Sequence, residues 1–182
     1  MGNQAISAAP LDNYRFLARY NRWFNQRLYE ACEKLSDEER QRDRGAFFHS
    51  IHLTLTHLVL ADKLWLQRFV RQTDAFASLT PALLYMPEGA DYTSDLHPDW
   101  PDLRRTREAL DATIETWLAD MPADFPLTDM RYSNTKGVLR EHPAWQALSH
   151  LFNHYPHHRG QVTTLLAQAG AEIGVADLIA LV

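Results

Sequence analysis

Ser50-Ile-His-Leu-Thr-Leu-Thr-His57-Leu-Val-Leu-Ala-Asp62-Lys-Leu-Trp65 is the stretch that decides the fold. It lies in a longer run, about residues 46–71, that contains neither glycine nor proline. Ile51, Leu55, Leu58, Leu64 and Trp65 recur there at helical spacing, which predicts a long helix. Upstream, residues 11–35 repeat the pattern with Tyr14, Leu17, Ala18, Leu28, Ala31 and Leu35, and Asp12 stands as a candidate N-cap. Ser36-Asp-Glu-Glu39 reads as a capping box that opens a short further turn. Downstream, residues 73–98 hold Pro81, Pro87, Gly89 and Pro98 without steady periodicity, so they predict a loop with one helical turn at Pro81-Ala-Leu-Leu84. Asp99 to about Ala119 is a third long helix with Leu103, Leu110, Ile114 and Trp117 on one face, ended by Pro122 and Pro126. Ser133-Asn-Thr-Lys-Gly137 is turn chemistry between two short extended runs and predicts a small hairpin. Pro143 fits the first turn of a fourth long helix running to about Gln168, with Gly170 and Gly174 at its end. Val175–Val182 is an apolar tail expected to pack on the helices. Four long helices, one wide crossover and little strand predict an all-α four-helix bundle, with residues 1–182 as a single domain.

The bulk composition is that of an ordinary globular chain. Its 182 residues suffice for one sizeable core, and 46% hydrophobic with 23% charged residues is unexceptional. A formal net charge of −5 argues against a general nucleic-acid binder, which needs a concentrated basic face. The arginines of Glu39-Arg-Gln-Arg-Asp-Arg44 and Leu103-Arg-Arg-Thr-Arg107 are interleaved with or flanked by acids and read as solvated helix faces. Cys32 is the only cysteine, so no intramolecular disulfide and no cysteine-based zinc site can form, and it is expected to pack. Met1–Ser7 has no basic start and no long apolar run, so it is not expected to be a signal peptide. Its hydroxyl residue also falls one place late for myristoylation after Gly2. No apolar stretch is long enough to span a bilayer, and a cytoplasmic location is the expectation.

The chemistry concentrates in histidine. His150-Leu-Phe-Asn-His154-Tyr-Pro-His157-His158 sets His150, His154 and His158 four and four apart, along one stripe of a helix. Imidazole is the commonest protein ligand for borderline transition metals, and two imidazoles one turn apart can share an ion. His154 with His158 is the preferred pair; His150 is the reserve ligand, and His157 is expected to face outward. His57 lies among Leu53, Leu60, Ala61 and Leu64, where it is either a hydrogen-bonded core histidine or the third ligand. In the second case His57, His154 and His158 form a three-nitrogen face from two helices, and such a site keeps positions open for water or substrate. Pro156 sits between the paired ligands and is expected to disturb the helix there. His49, His52, His97 and His142 read as surface or boundary residues.

Asp62, Asn153, Arg159 and Gln161 are candidates for orienting the ligands, with salt bridging or core hydrogen bonding favoured for Asp62 and Arg159. Trp23, Phe24, Trp65 and Trp117 line either a pocket or the core. No Glu-x-x-His occurs, which removes a ferritin-like di-iron site, and no His-Glu-x-x-His, which removes a zincin. No Gly-x-Ser-x-Gly nucleophile motif and no phosphate-binding glycine loop is present.

The stretches Ser50–Trp65 and His150-Leu-Phe-Asn-His154-Tyr-Pro-His-His158-Arg-Gly-Gln161 resemble the two signature segments of the DinB family, the DinB/YfiT-like metalloenzymes. Tyr20-Asn-Arg-Trp23-Phe-Asn25 is similar to that family's first-helix motif, and Gly174-Val-Ala-Asp-Leu-Ile179 to its ending. The resemblance implies an up-down-down-up bundle, often dimeric, and a divalent metal, usually nickel or zinc, held by three histidines. Position by position these are His57, His154 and His158. Pro156 departs from the pattern, where a small or hydroxyl residue is more usual. The family takes its name from induction by DNA damage. Some relatives are thiol-dependent transferases and isomerases, which implies a low-molecular-weight thiol and a small electrophile as partners. Three functions follow: a metal-dependent enzyme of thiol-transferase or detoxification type, a non-enzymatic metal-binding stress protein, or a bundle dimer whose histidines merely pack.

Overall fold

The computed structural model describes residues 9–182, from residue 11 onward with side chains. The Met1–Ser7 segment, on which the signal-peptide and myristoylation readings rest, lies outside the described residues. The chain is mostly helical, with one two-stranded sheet. Its elements are α1 (Ala9–Cys32), α2 (Asp37–Gln41), α3 (Ile51–Val70), α4 (Pro81–Leu84), α5 (Trp100–Asp120), β1 (Asp129–Ser133), β2 (Leu139–Pro143) and α6 (Ala144–Gln168). Single 3₁₀ turns occupy Phe125–Leu127 and Leu178–Leu181. No helix among the described residues is long and apolar enough to cross a membrane.

The caps explain where the helices begin. Helix α3 starts at Ile51 rather than at residue 46, because Ser50 takes an extended conformation and its hydroxyl accepts the Leu53 N–H at 3.1 Å. The preceding residues fold into a tight bridge between Ala46 and His49, with His49 at φ 63°. Asp99 caps α5 by accepting the Asp102 N–H at 3.0 Å. Ser36 caps α2, but the Glu39 carboxylate turns to Arg44 at 2.6 Å, so only half of the expected capping box forms. Asp12 is not a cap: α1 already begins at Ala9, and Asp12 pairs with Arg15 within its first turn. The hairpin closes as its turn residues require. Asn134 Oδ1 accepts the N–H groups of Lys136 and Val138, and Gly137 supplies φ 73°. Pro143 ends β2 and caps α6 from outside its first turn.

Named contacts fix how the four long helices run. Arg15 reaches the carbonyls of Leu118 and Ala119, Asn25 reaches Asp111, and Tyr29 stacks on Trp100, so α1 and α5 are antiparallel. Tyr14 bonds Ser149 and Arg159 lies against Asn21, so α1 and α6 are parallel. His57 meets His154 while Trp65 meets His150, so α3 and α6 are antiparallel. His52 with Trp100, Asp62 with Arg107 and Phe69 with Trp117 make α3 and α5 parallel. The core between them holds Leu28, Leu55, Leu66, Leu103, Leu110, Ile114, Trp117 and Leu151, all fully buried.

Several surface readings do not hold. Arg40 and Arg107 are buried, not solvated. Arg40 donates to the Cys32 carbonyl and lies over the Trp100 ring, while Arg107 sits between Asp62 and Asp111. His52 and His97 are buried too, because the 73–98 crossover folds across α3. His52 Nε2–H donates to the His97 carbonyl at 2.7 Å, and His97 Nδ1 holds Asp102 at 2.6 Å. The C-terminal tail packs only in part: Ala176 lies against the core, while Val175 is 69% and Ile179 74% exposed. Backbone bonds also tie down this end of the chain, with Tyr20 donating to the Ala176 carbonyl at 2.6 Å and Arg27 to the Ile173 carbonyl at 2.9 Å.

Candidate metal centre

Antiparallel packing of α3 on α6 carries His57 to the turn that bears His154 and His158. One ring nitrogen from each of the three lies within 4.8 Å of the other two. The ring centroids are 4.3 Å apart for His154–His158, 4.5 Å for His57–His158 and 5.2 Å for His57–His154. Helix α6 continues through Pro156, although proline deprives the Phe152 carbonyl of its helical donor. The i, i+4 spacing of the ligand pair therefore survives.

Two of the three rings are oriented from behind. His57 Nδ1–H donates to the Tyr92 carbonyl at 2.9 Å, and His158 Nδ1–H donates to Gln161 Oε1 at 2.8 Å. With Nδ1 protonated in both rings, Nε2 of each keeps its lone pair free for coordination. His57 Nε2 stands 3.3 Å from His154 Nε2, close to the separation of about 3.4 Å between two nitrogens on a tetrahedral ion bound at ~2.1 Å. His154 Nδ1 is buried without a partner. Phe48 stacks on His57 with centroids 4.0 Å apart and closes one face of the cluster.

Burial keeps the rings neutral, which is the form that coordinates. Desolvation pulls His57 below the usual imidazole range. It brings His158 down to about 4, against the opposing bond to Gln161. His154 falls to about 3, first through burial and then through the neighbouring imidazoles. These residues fit a divalent ion: three neutral nitrogen donors, two of them locked in the coordinating tautomer, with no carboxylate among them.

The other candidates sort themselves by position. His150 lies one turn outside the cluster, against Trp65 at 4.7 Å, and belongs to the adjoining cleft. His157 points outward and is exposed, as is Asn153. Gln161 does orient the His158 ring. Asp62 does not: it is 0% exposed and pairs with Arg107 at 2.5 Å. Arg159 is a core residue over the Phe24 and Tyr20 rings. Trp65 lines the site, Phe24 lines a separate groove between α1 and α6, and Trp117 is core. Trp23 packs at the edge of the core beneath Arg27. Burial pushes the Cys32 thiol up to about 12, which leaves it inert at neutral pH. Phe48 and the Tyr92 carbonyl escaped the sequence reading because both come from irregular segments with no periodic signal.

Two clefts open on the cluster. One, of about 360 Å³, is walled by Phe47, Phe48, Tyr92 and His157. The other, of about 320 Å³, runs past Trp65, Arg68, Tyr132, Arg140 and His150. The site is thus an open three-imidazole centre between two helices, of the kind that leaves room for an exogenous ligand.

A helical protein with such a centre matches the model of the DinB family over residues 9–181, and the chain belongs to that family. It is also similar to Protein DinB of Bacillus subtilis (strain 168), with 24% identity over 155 residues that cover 85% of this chain and 84% of that protein. No solved structure matches it significantly.

Proposed function

We propose that the chain is a single-domain, up-down-down-up four-helix bundle in which His57, His154 and His158 hold a divalent transition metal, nickel or zinc, and that it is a metal-dependent enzyme of thiol-transferase type. A cytoplasmic homodimer that acts on a low-molecular-weight thiol and a small electrophile completes the reading. One observation carries it: the Nδ1 atoms of His57 and His158 are already committed to Tyr92 and Gln161, which leaves both Nε2 lone pairs for the three-imidazole cluster. The family membership supports the same ligand set.

A bound divalent ion supplies Lewis acidity, which lowers the pKa of a thiol and favours its nucleophilic form. The chain's own residues do the rest. Phe48 and Tyr92 shield His57 and give one cleft an apolar wall for an organic substrate. His150 places a proton-accepting imidazole in the second cleft. Gln161 fixes the ring of His158.

The test uses protein purified without a histidine tag. Elemental analysis should find one divalent ion per chain, and the loaded protein should accelerate thiol addition to electrophiles in a screen of small thiols. His57→Ala and His154→Ala should abolish both properties, whereas His150→Ala should retain the metal. A flat screen with stoichiometric metal would leave only a metal-binding protein. Absence of the ion would leave only packed histidines.

A further inference from the structure

The cleft beside His57 and His154 contains an arginine that its own protein does not neutralise. Arg68 is half-buried at the end of α3, against the rings of Trp65 at 4.5 Å and Tyr132 at 4.8 Å, which themselves meet edge-to-face. No carboxylate among the described residues pairs with it, although nearly every other inward-turned arginine here has one or reaches a carbonyl. Arg140 lines the same cleft, and Arg71 and Arg131 line a contiguous one of about 400 Å³ that shares Arg68, Tyr132, Asn134 and Thr135. Of these four, only Arg131 is paired, with Glu141 at 2.7 Å. Neither cleft is lined by an acidic residue. In a chain of net charge −5, this is a local excess of guanidinium next to the imidazole cluster.

Contact with both rings restrains the Arg68 guanidinium, and no carboxylate among the described residues takes its N–H groups. A rigid fork without a counter-ion is suited to a planar or tetrahedral oxyanion, which it can grip with two charge-assisted hydrogen bonds. Hairpin residues Tyr132, Asn134, Thr135 and Arg140 wall the cleft, and its volume of about 320 Å³ suits a small molecule.

We infer that Arg68, with Arg140, forms an oxyanion subsite beside the imidazole cluster, so that the small molecule bound there carries a carboxylate or phosphate group. The purpose of the subsite rests on the proposed metal centre, but its existence does not, and it can be measured on metal-free protein.

Calorimetric titration of metal-free protein with inorganic phosphate, benzoate and the neutral isostere benzamide tests it. Wild type should bind phosphate or benzoate, and the stronger of the two tells which oxyanion the site prefers; benzamide should bind at least about tenfold more weakly than benzoate. Arg68→Met keeps an apolar stem against Trp65 and Tyr132 but removes the fork, and should weaken the anion by about tenfold or more. Arg68→Lys should recover part of the loss. Metal content after loading should be the same in wild type and Arg68→Met, which separates this inference from the metal reading. No anion binding by wild type, equal binding by Arg68→Met, or benzamide binding as tightly as benzoate would overturn the subsite.

Discussion

Two polar clusters sit between the helices, and they are built on opposite principles. Around Arg107 the charges answer one another: its guanidinium lies between Asp62 at 2.5 Å and Asp111 at 2.9 Å, and the Asn21 and Asn25 amides also donate to Asp111. All three charged groups are buried. Around His57 there is no such pairing of opposite charges. Three neutral imidazoles face together, one of their nitrogens is buried without a partner, and the cluster opens to two clefts. A buried network of opposite charges can hold helices in register. A cluster of neutral imidazoles open to clefts has the donor set that a cation could use. The proposed division is that the first region serves the fold and the second a ligand, and mutations should separate them.

The largest effect is expected from breaking the closed network. Arg107→Leu leaves two buried carboxylates without their counter-charge, which should cost about 3–5 kcal/mol. For a chain of this size that lowers the melting temperature by roughly 10 °C. A melt within a degree or two of wild type would mean that the network is not structural.

Next comes the open cluster, where stability and binding should part company. His154→Ala should weaken metal binding by more than a hundredfold, since loss of an outer partner alone costs about 10–100-fold. The metal-free variant should melt close to wild type, because the ring satisfies nothing in the fold. Titration calorimetry and a thermal melt check the two halves. Gln161→Leu should do less: it frees the His158 ring without removing a ligand, so affinity should fall by about tenfold.

Acid acts on the same open cluster. His154 and His158 titrate at about 3 and about 4 in the folded chain, and His57 is also lowered. In the unfolded chain all three take up protons near ~6.5. Between these limits the unfolded state binds more protons, so the metal-free protein should lose stability as pH falls from about 6.5 towards 4. The three groups should add no pH dependence above about 7. Removing His154 should flatten that slope; an unchanged slope would place the titrating groups elsewhere.

The sequence disclosed the periodic parts of this molecule and concealed the irregular ones. Leu103, Leu110, Ile114 and Trp117 mark a helix face because a buried stripe must repeat, and all four are buried. His154 and His158 were legible as a pair for the same reason, and Asn134 and Gly137 marked the hairpin through their turn preferences. His52 and His97 were misread because their burial comes from a crossover loop whose path no local pattern specifies. Arg107 reads as a surface charge in the sequence because its partner Asp62 is distant along the chain. Phe48 and Tyr92 acquire their roles only when loops are laid over α3.

X-ray absorption spectroscopy at the metal edge, on protein purified without a tag, addresses the shared cation most directly. Expected is one nickel or zinc ion per chain with three imidazole nitrogens in its first shell, and loss of that signal in both His57→Ala and His154→Ala. A substoichiometric ion, or an imidazole shell unchanged in either variant, would contradict the site.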